Sequence, residues 1–298
     1  MLDMVESSLG CMIRKSVLSW YRINMQFAGR HRSILKNQII ASYLGRLKTL
    51  VLSLCASDNV ILDGRKMYLP KNEYLHLVVL EHTGLDTKIV RQLVKEGDVV
   101  LDLGANIGYW TCLFSELVGK NGRVYSFEPS PANFELLKKN VEANGYKNVI
   151  LEQKAVAERT YKTGLYLSKG SMDNRIYRPN EPRNSVQVEV VALKDYFANS
   201  GIKIDFIKCN IQGADFAAIQ GMGDIMRTSP NLKIIVEFDP TMCREYGSKP
   251  AEFIDYMSLN GFVFYELLWY NNKLKPVDSE TLKHYEKLNI GTNLLCLK

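Results

Sequence analysis

The sequence predicts a doubly wound α/β domain, and three observations point to it. From Val99 onward, apolar strand-like runs alternate with stretches of helical spacing, the pattern of a parallel sheet covered on both faces. The run LKIIVEF at 232–238 is apolar on both faces, as a central parallel strand is. The turn LDLGANIG closes the first strand of the alternation and opens a helix, the place where such folds bind ligands.

The elements follow in order. Residues 4–27 and 31–56 have helical spacing, with Gly29 between them. Asn59–Leu69 alternates around Asp63-Gly64, which is a hairpin signal. Helical spacing returns over Leu75–Glu81 and Asp86–Leu93, and Glu96-Gly97-Asp98 ends it. Then come a strand at Val99–Leu103, a helix at Tyr109–Val118, a strand at Val124–Phe127, a helix at Pro131–Asn144 and a strand at Val149–Gln153. Further strands are expected at Ile204–Cys209, Leu232–Phe238, Phe262–Leu267 and Asn293–Leu297. Residues 158–192 interrupt the alternation with a strand pair, Tyr161–Leu167 and Ser185–Val191, around the polar stretch SKGSMDNRIYRPNEPRN. An insertion after the third strand lies near the ligand edge, and a long polar loop there reads as a substrate lid.

Charge separates the N-terminus from the rest. Residues 1–57 hold eight Lys/Arg against Asp3 and Glu6, which accounts for the whole net charge of +6. The domain organisation is therefore a basic helical extension at 1–57 and an α/β domain at 58–298. The extension either packs Trp20, Phe27 and Leu44 on the domain with its charges in water, or meets an anionic partner such as a membrane surface. The cysteines at 11, 55, 112, 209, 243 and 296 form no CxxC pair and read as reduced, packed thiols. No apolar run approaches the roughly 20 residues of a membrane span, and the N-terminus lacks the order of a secretion signal. The expected location is the cytoplasm, with peripheral membrane contact as the variant that the basic segment suggests. His31, His76, His82 and His284 are scattered and imply no metal site. Nothing in the sequence assigns an oligomeric state.

In LDLGANIG, Asp102 closes the strand, Gly104 permits a tight turn, and Gly108 lets the helix start close to the sheet. Ala105 stands where a dinucleotide fingerprint has its second glycine, and Asp102 suits an ammonium group better than a phosphate. A ligand carrying both an amine and a carboxylate fits, such as the amino-acid half of S-adenosylmethionine. Glu128 follows Gly104 by 24 residues, at the end of the second strand. It is placed to accept hydrogen bonds from ribose hydroxyls, or else to cap the helix that starts near Pro131.

The blocks GDVVLDLGANIGYWT, FEPSPANFELLKKNVEANG, IDFIKCNIQGADFAAIQGM and IIVEFDP, in that order, resemble the FkbM family of S-adenosylmethionine-dependent methyltransferases. The resemblance runs from about Gly64 to the C-terminus and leaves 1–57 outside. It implies a class I methyltransferase (Rossmann-like) fold, a mostly parallel seven-stranded sheet with an antiparallel last strand. It also implies methyl transfer to a hydroxyl of a sugar, glycan or secondary metabolite. Carried over residue by residue, it places Asp102, Gly104, Ala105, Asn106 and Gly108 around the methionine part of the cofactor and Glu128 on the ribose. Lys154 and Ala155 fall at the adenine. Asp86 matches an acidic position ahead of the first motif, and an acidic first helical turn is its alternative reading.

At the fourth strand end the family reads close to D-V-E-G, whereas this chain has Asn210-Ile211-Gln212-Gly213. The amides keep the shape of the carboxylates but neither their charge nor their capacity to take a proton. Asn210 can orient the cofactor or an acceptor hydroxyl but cannot be the base. Asp239 and Glu237 after the fifth strand, and Asp173 in the insertion, are the candidates for that role. Lys208 either stabilises a developing oxyanion or packs its stem and reaches a carboxylate.

The leading expectation is an O-methyltransferase acting on a small-molecule or glycan acceptor. A weak or inactive relative serving as a binding scaffold is the second, motivated by the NIQG stretch. An RNA methyltransferase gripping nucleic acid through 1–57 is the third, without any RNA-binding module to support it.

Overall fold

The computed structural model describes residues 59–70, 85–168, 170, 172–268 and 273–298. The basic segment 1–57 and the helical expectations for 4–27, 31–56 and 75–81 lie outside these residues. The chain divides into two compact units, one of 1–64 with 68–83 and the other of 65–67 with 84–298. The expected hairpin is present as strands β1 (Asn59–Leu62) and β2 (Arg65–Tyr68), which flank Asp63 at φ 46° and Gly64 at φ 83°.

In the second unit the predicted alternation is realised. Helix α1 (Leu85–Leu93) precedes β3 (Val99–Leu103), α2 (Tyr109–Val118), β4 (Arg123–Phe127), α3 (Pro131–Ala143) and β5 (Val149–Glu152). The insertion contributes β6 (Ala155–Val156), β7 (Tyr161–Tyr166) and β8 (Ser185–Val191), which form a three-stranded sheet of their own in the order β6-β8-β7. After α4 (Leu193–Tyr196) come β9 (Phe206–Cys209), α5 (Asp215–Gln220), α6 (Ile225–Thr228) and β10 (Lys233–Phe238). The chain ends in α7 (Pro240–Tyr246), α8 (Pro250–Leu259), β11 (Val263–Leu268), β12 (Lys273–Val277), α9 (Ser279–Leu288) and β13 (Thr292–Leu297).

The central sheet runs β12-β11-β13-β10-β9-β3-β4-β5. Strands β10, β9, β3, β4 and β5 are mutually parallel, and β13 is antiparallel to both β10 and β11. This is the class I methyltransferase fold, with the last strand antiparallel as expected. The expected seven strands are corrected to eight, because β12 adds itself antiparallel to β11 at the edge. Its sequence KLKPV hides it. Lys273 and Lys275 are exposed and Pro276 lacks an amide donor, the residues that suit an edge strand and weaken its signal.

Alternate residues of each central strand enter opposite layers of the core. Leu101, Leu103, Ile207, Ile234 and Val236 pack with Phe216 of α5 and with Phe253, Ile254 and Met257 of α8. Val100, Val124, Phe206 and Ile235 pack with Ile89 and Val90 of α1 and with Leu113, Phe114 and Val118 of α2. Strands with both faces covered in this way read as continuous apolar runs. Among the described residues, Cys112, Cys209, Cys243 and Cys296 are buried free thiols. No described helix is long and apolar enough to cross a membrane.

Register then sets the site. Asp102 lies opposite Ser126 on one side and Lys208 on the other, and Lys208 lies opposite Ile235. The C-terminal ends of β3, β4, β9 and β10 therefore share one edge of the sheet, the edge where open α/β sheets bind ligands.

Candidate active site

The turn after β3 is built against the tip of β9. Gly104 has φ 79°, and a Cβ there would stand 2.1 Å from the backbone oxygen of Asn210. No side chain fits at that position. Gly104 N and Ala105 N both donate to the Phe127 carbonyl at 3.0 Å, and Asn210 N donates to the Leu103 carbonyl at 3.1 Å. The three strand tips are thus tied by backbone hydrogen bonds. Gly108 caps α2 with φ 89°.

Glu128 joins two of these loops. Its Oε2 accepts from Asn106 N at 2.8 Å, and its Oε1 accepts from Ser130 N at 2.9 Å and from Asn133 Nδ2 at 3.4 Å. Burial pushes its carboxyl up to about 7 against the pull of those donors. A carboxylate offers about four acceptor positions, so room is left for a ligand hydroxyl.

Asp102 is fully buried beneath the turn. Its Oδ2 accepts from Thr111 Oγ1 at 2.6 Å, while Oδ1 has no hydrogen-bond partner among the described residues and stands 3.8 Å from Lys208 Nζ. Burial raises the Asp102 pKa, and the Lys208 ammonium opposes the shift. Lys208 also donates to the Gly104 carbonyl at 3.5 Å. Of the two readings of Lys208, this geometry matches the second: a packed stem whose amine reaches a carboxylate and braces the turn.

The NIQG stretch is a strained turn. Gln212 has φ 58° and Gly213 has φ 95°, and a Cβ at Gly213 would meet the Met242 carbonyl oxygen at 2.5 Å. The carboxylate of Asp215, buried at the start of α5, accepts from Ile211 N at 3.2 Å and Gly213 N at 3.1 Å. Sequence reasoning missed this residue, although an acid at the first position of a helix after a glycine turn is the signal that could have found it. Gln212 Nε2 donates to Asn210 Oδ1 at 2.8 Å and to Glu237 Oε2 at 3.4 Å. Burial, together with the charges of Asp215 and Asp239, pushes Glu237 up to about 7.

The candidate bases are all engaged. Asp239 caps α7, its Oδ1 accepting from Met242 N at 2.9 Å. Asp173 is held between Arg175 at 2.6 Å and Arg183 at 2.7 Å. Glu237 stands behind Gln212, and with Asp239 it lines a separate small pocket beside Phe253.

A cleft with an empty volume of about 550 Å³ opens at this edge. Gly104, Asn106, Glu128, Lys154 and Ala155 line it together with Asn210 and Gln212. Lys154 directs its ammonium away to Glu152 at 2.7 Å. Asp102, Ala105, Gly108, Lys208, Glu237 and Asp239 are not part of that lining and stand behind or beside it. Asp86 lies on α1, and its side chain is outside the described residues. The insertion supplies Leu165, Met172, Asn174 and Ile176 to the wall. The sequence located the insertion but not these residues. No cluster of three or more metal-ligating side chains occurs among the described residues.

The methyltransferase FkbM domain family matches residues 102–264. Protein-L-isoaspartate O-methyltransferase 1 of Archaeoglobus fulgidus is 41% identical over 58 residues, 20% of this chain and 27% of the relative. The match thus spans about a quarter of that relative's length. Among solved structures, a SAM-dependent methyltransferase from Aquifex aeolicus aligns with TM-score 0.38 and 14% identity over 72% of this chain and 90% of its own. A SAM-dependent O-methyltransferase from Thermotoga maritima aligns with TM-score 0.41 and 13% identity over 76% and 70%.

Proposed function

The chain belongs to the methyltransferase FkbM domain family, and from that premise we propose that it methylates an oxygen of a sugar, glycan or other small metabolite with S-adenosylmethionine. One observation carries the reading. Of the residues assigned to the cofactor, Gly104, Asn106, Glu128, Lys154, Ala155 and Asn210 line a single cleft together with Gln212.

The residues present fit the cofactor. Glu128 has acceptor capacity left for ribose hydroxyls, the Gly104–Asn106 turn would hold the methionine part, and the backbone at Lys154 and Ala155 would flank the adenine. Phe127, Val156 and Ile211 add apolar wall. When bound, the cofactor supplies an electrophilic methyl group on a sulfonium. The chain's own task is to hold the acceptor oxygen about 3 Å from that methyl and in line with it, which is the larger part of such catalysis. Asn210 and Gln212 are the polar groups placed for it, and Leu165, Met172 and Ile176 of the insertion exclude water.

Isothermal titration tests the reading. S-adenosylmethionine is expected to bind one per chain, and Glu128→Ala to weaken it about tenfold or more. No binding at millimolar cofactor overturns it. A second reading, a cofactor-binding scaffold without turnover, draws on the engagement of Asp239, Asp173 and Glu237 elsewhere. Robust turnover by the wild-type chain eliminates it. A cytoplasmic location, and an anionic surface as partner of residues 1–57, belong to the same proposal.

A further inference from the structure

We propose that the oxygen methylated at this site belongs to a carboxylate of the acceptor, received by the amide nitrogen of Asn210 in an orientation that Glu237 sets through Gln212. The inference rests on the methyl-transfer reading above and narrows its acceptor. It starts from the hydrogen-bond polarity of three side chains. Gln212 turns its amide nitrogen toward Glu237, at 3.4 Å, the end that the ionised carboxylate accepts from. The same nitrogen donates to Asn210 Oδ1 at 2.8 Å. Gln212 uses one of the two lone pairs of Asn210 Oδ1, while Nδ2 has no acceptor among the described residues. Asn210 therefore has an uncommitted donor to offer a ligand in the cleft it lines.

The surroundings agree. The lining of the cleft includes Ile211, Leu165, Met172 and Ile176 and the amides of Asn174, Asn210 and Gln212. Glu128, on the cofactor side, is the one acidic residue in that lining among the described residues. An aspartate at position 210 would repel an anionic acceptor, and an asparagine of the same shape donates to it. A carboxylate also removes the need for a base, because it is ionised near pH 7 from an ordinary pKa of about 4. In the transfer, a lone pair of the carboxylate oxygen forms the new O–C bond while the C–S bond of the sulfonium breaks. The electron pair of that bond stays on sulfur. The products are a methyl ester and a neutral thioether, and no proton has to leave. The engagement of Asp239, Asp173 and Glu237 then needs no further explanation.

The test uses the full chain loaded with S-adenosylhomocysteine and titrated with two matched pairs, glucuronate with glucose and benzoate with benzyl alcohol. At least one acid is expected to bind about tenfold or more tightly than its neutral partner, the scale of a charge-assisted hydrogen bond. Asn210→Asp should abolish that preference. Glu237→Gln, whose amide can present either end to Gln212, should weaken it while S-adenosylhomocysteine affinity is retained. With labelled cofactor, the transferred methyl should be released by mild alkali as methanol. Equal binding of acid and alcohol in both pairs, an unchanged preference in Asn210→Asp, or an alkali-stable methyl ether would overturn the proposal. Failure of S-adenosylhomocysteine to load overturns the methyl-transfer reading instead, and is seen before any acceptor is added.

Discussion

The backbone oxygen of Asn210 occupies the space that a side chain on Gly104 would need, 2.1 Å from an ideal Cβ. Two strand tips that are distant in sequence are therefore in direct contact, and the turn after β3 packs on the backbone of the turn after β9. Gly104→Ala adds a Cβ against rigid backbone at φ 79°. A loss of about 2–4 kcal/mol in urea denaturation is expected, with cofactor binding lost in parallel. A wild-type midpoint with intact binding would refute the contact.

Glu128 makes stability depend on pH. Its folded-state carboxyl lies up at about 7 because of burial, above the ordinary value of about 4.3 in an unfolded chain. Between those values the folded state binds more protons than the unfolded one, so stability falls as pH rises through this window. The cofactor-free wild type should therefore lose more stability from pH 5 to pH 8 than Glu128→Gln does. The difference is bounded at about 3 kcal/mol by the size of the shift. Denaturation curves of both proteins at the two pH values check it.

Asp215 holds the NIQG turn from behind. Its carboxylate satisfies the Ile211 and Gly213 amides, and truncation leaves both without a partner. Asp215→Ala is expected to cost about 2–4 kcal/mol. Turnover should fall more than S-adenosylhomocysteine affinity does, since the proposed acceptor sits at this turn. Equal losses in both measurements would count against that division.

Lys208, 12% exposed, and the fully buried Asp102 form a cross-strand pair at 3.8 Å. Lys208→Met leaves Asp102 without its opposite charge and is expected to cost about 3 kcal/mol. The double variant with Asp102→Asn should recover part of this, as replacement of both buried partners does. Additive losses in the cycle would show that the two side chains act independently.

The fold was legible because its signals are local. Apolar runs such as Val99–Leu103 and the positive-φ glycines at 64, 104 and 108 announce strands and turns within a few residues. By itself, then, the sequence determined the strand–helix order, the turn at Gly104, the place of Glu128 and the oddity of two amides at the fourth strand tip. It did not reveal β12, whose lysines and proline mask an edge strand. Nor did it separate the carboxylates that follow the fourth and fifth strands, since Asp215, Glu237 and Asp239 look alike as residue types. Only the tertiary structure made Asp215 the anchor of the turn, Asp239 a helix cap and Glu237 the partner of Gln212. The physical reason is distance along the chain. Lys208 meets Asp102, and Glu237 meets Gln212, across strands whose register is set by the packing of the whole sheet, which no local pattern encodes.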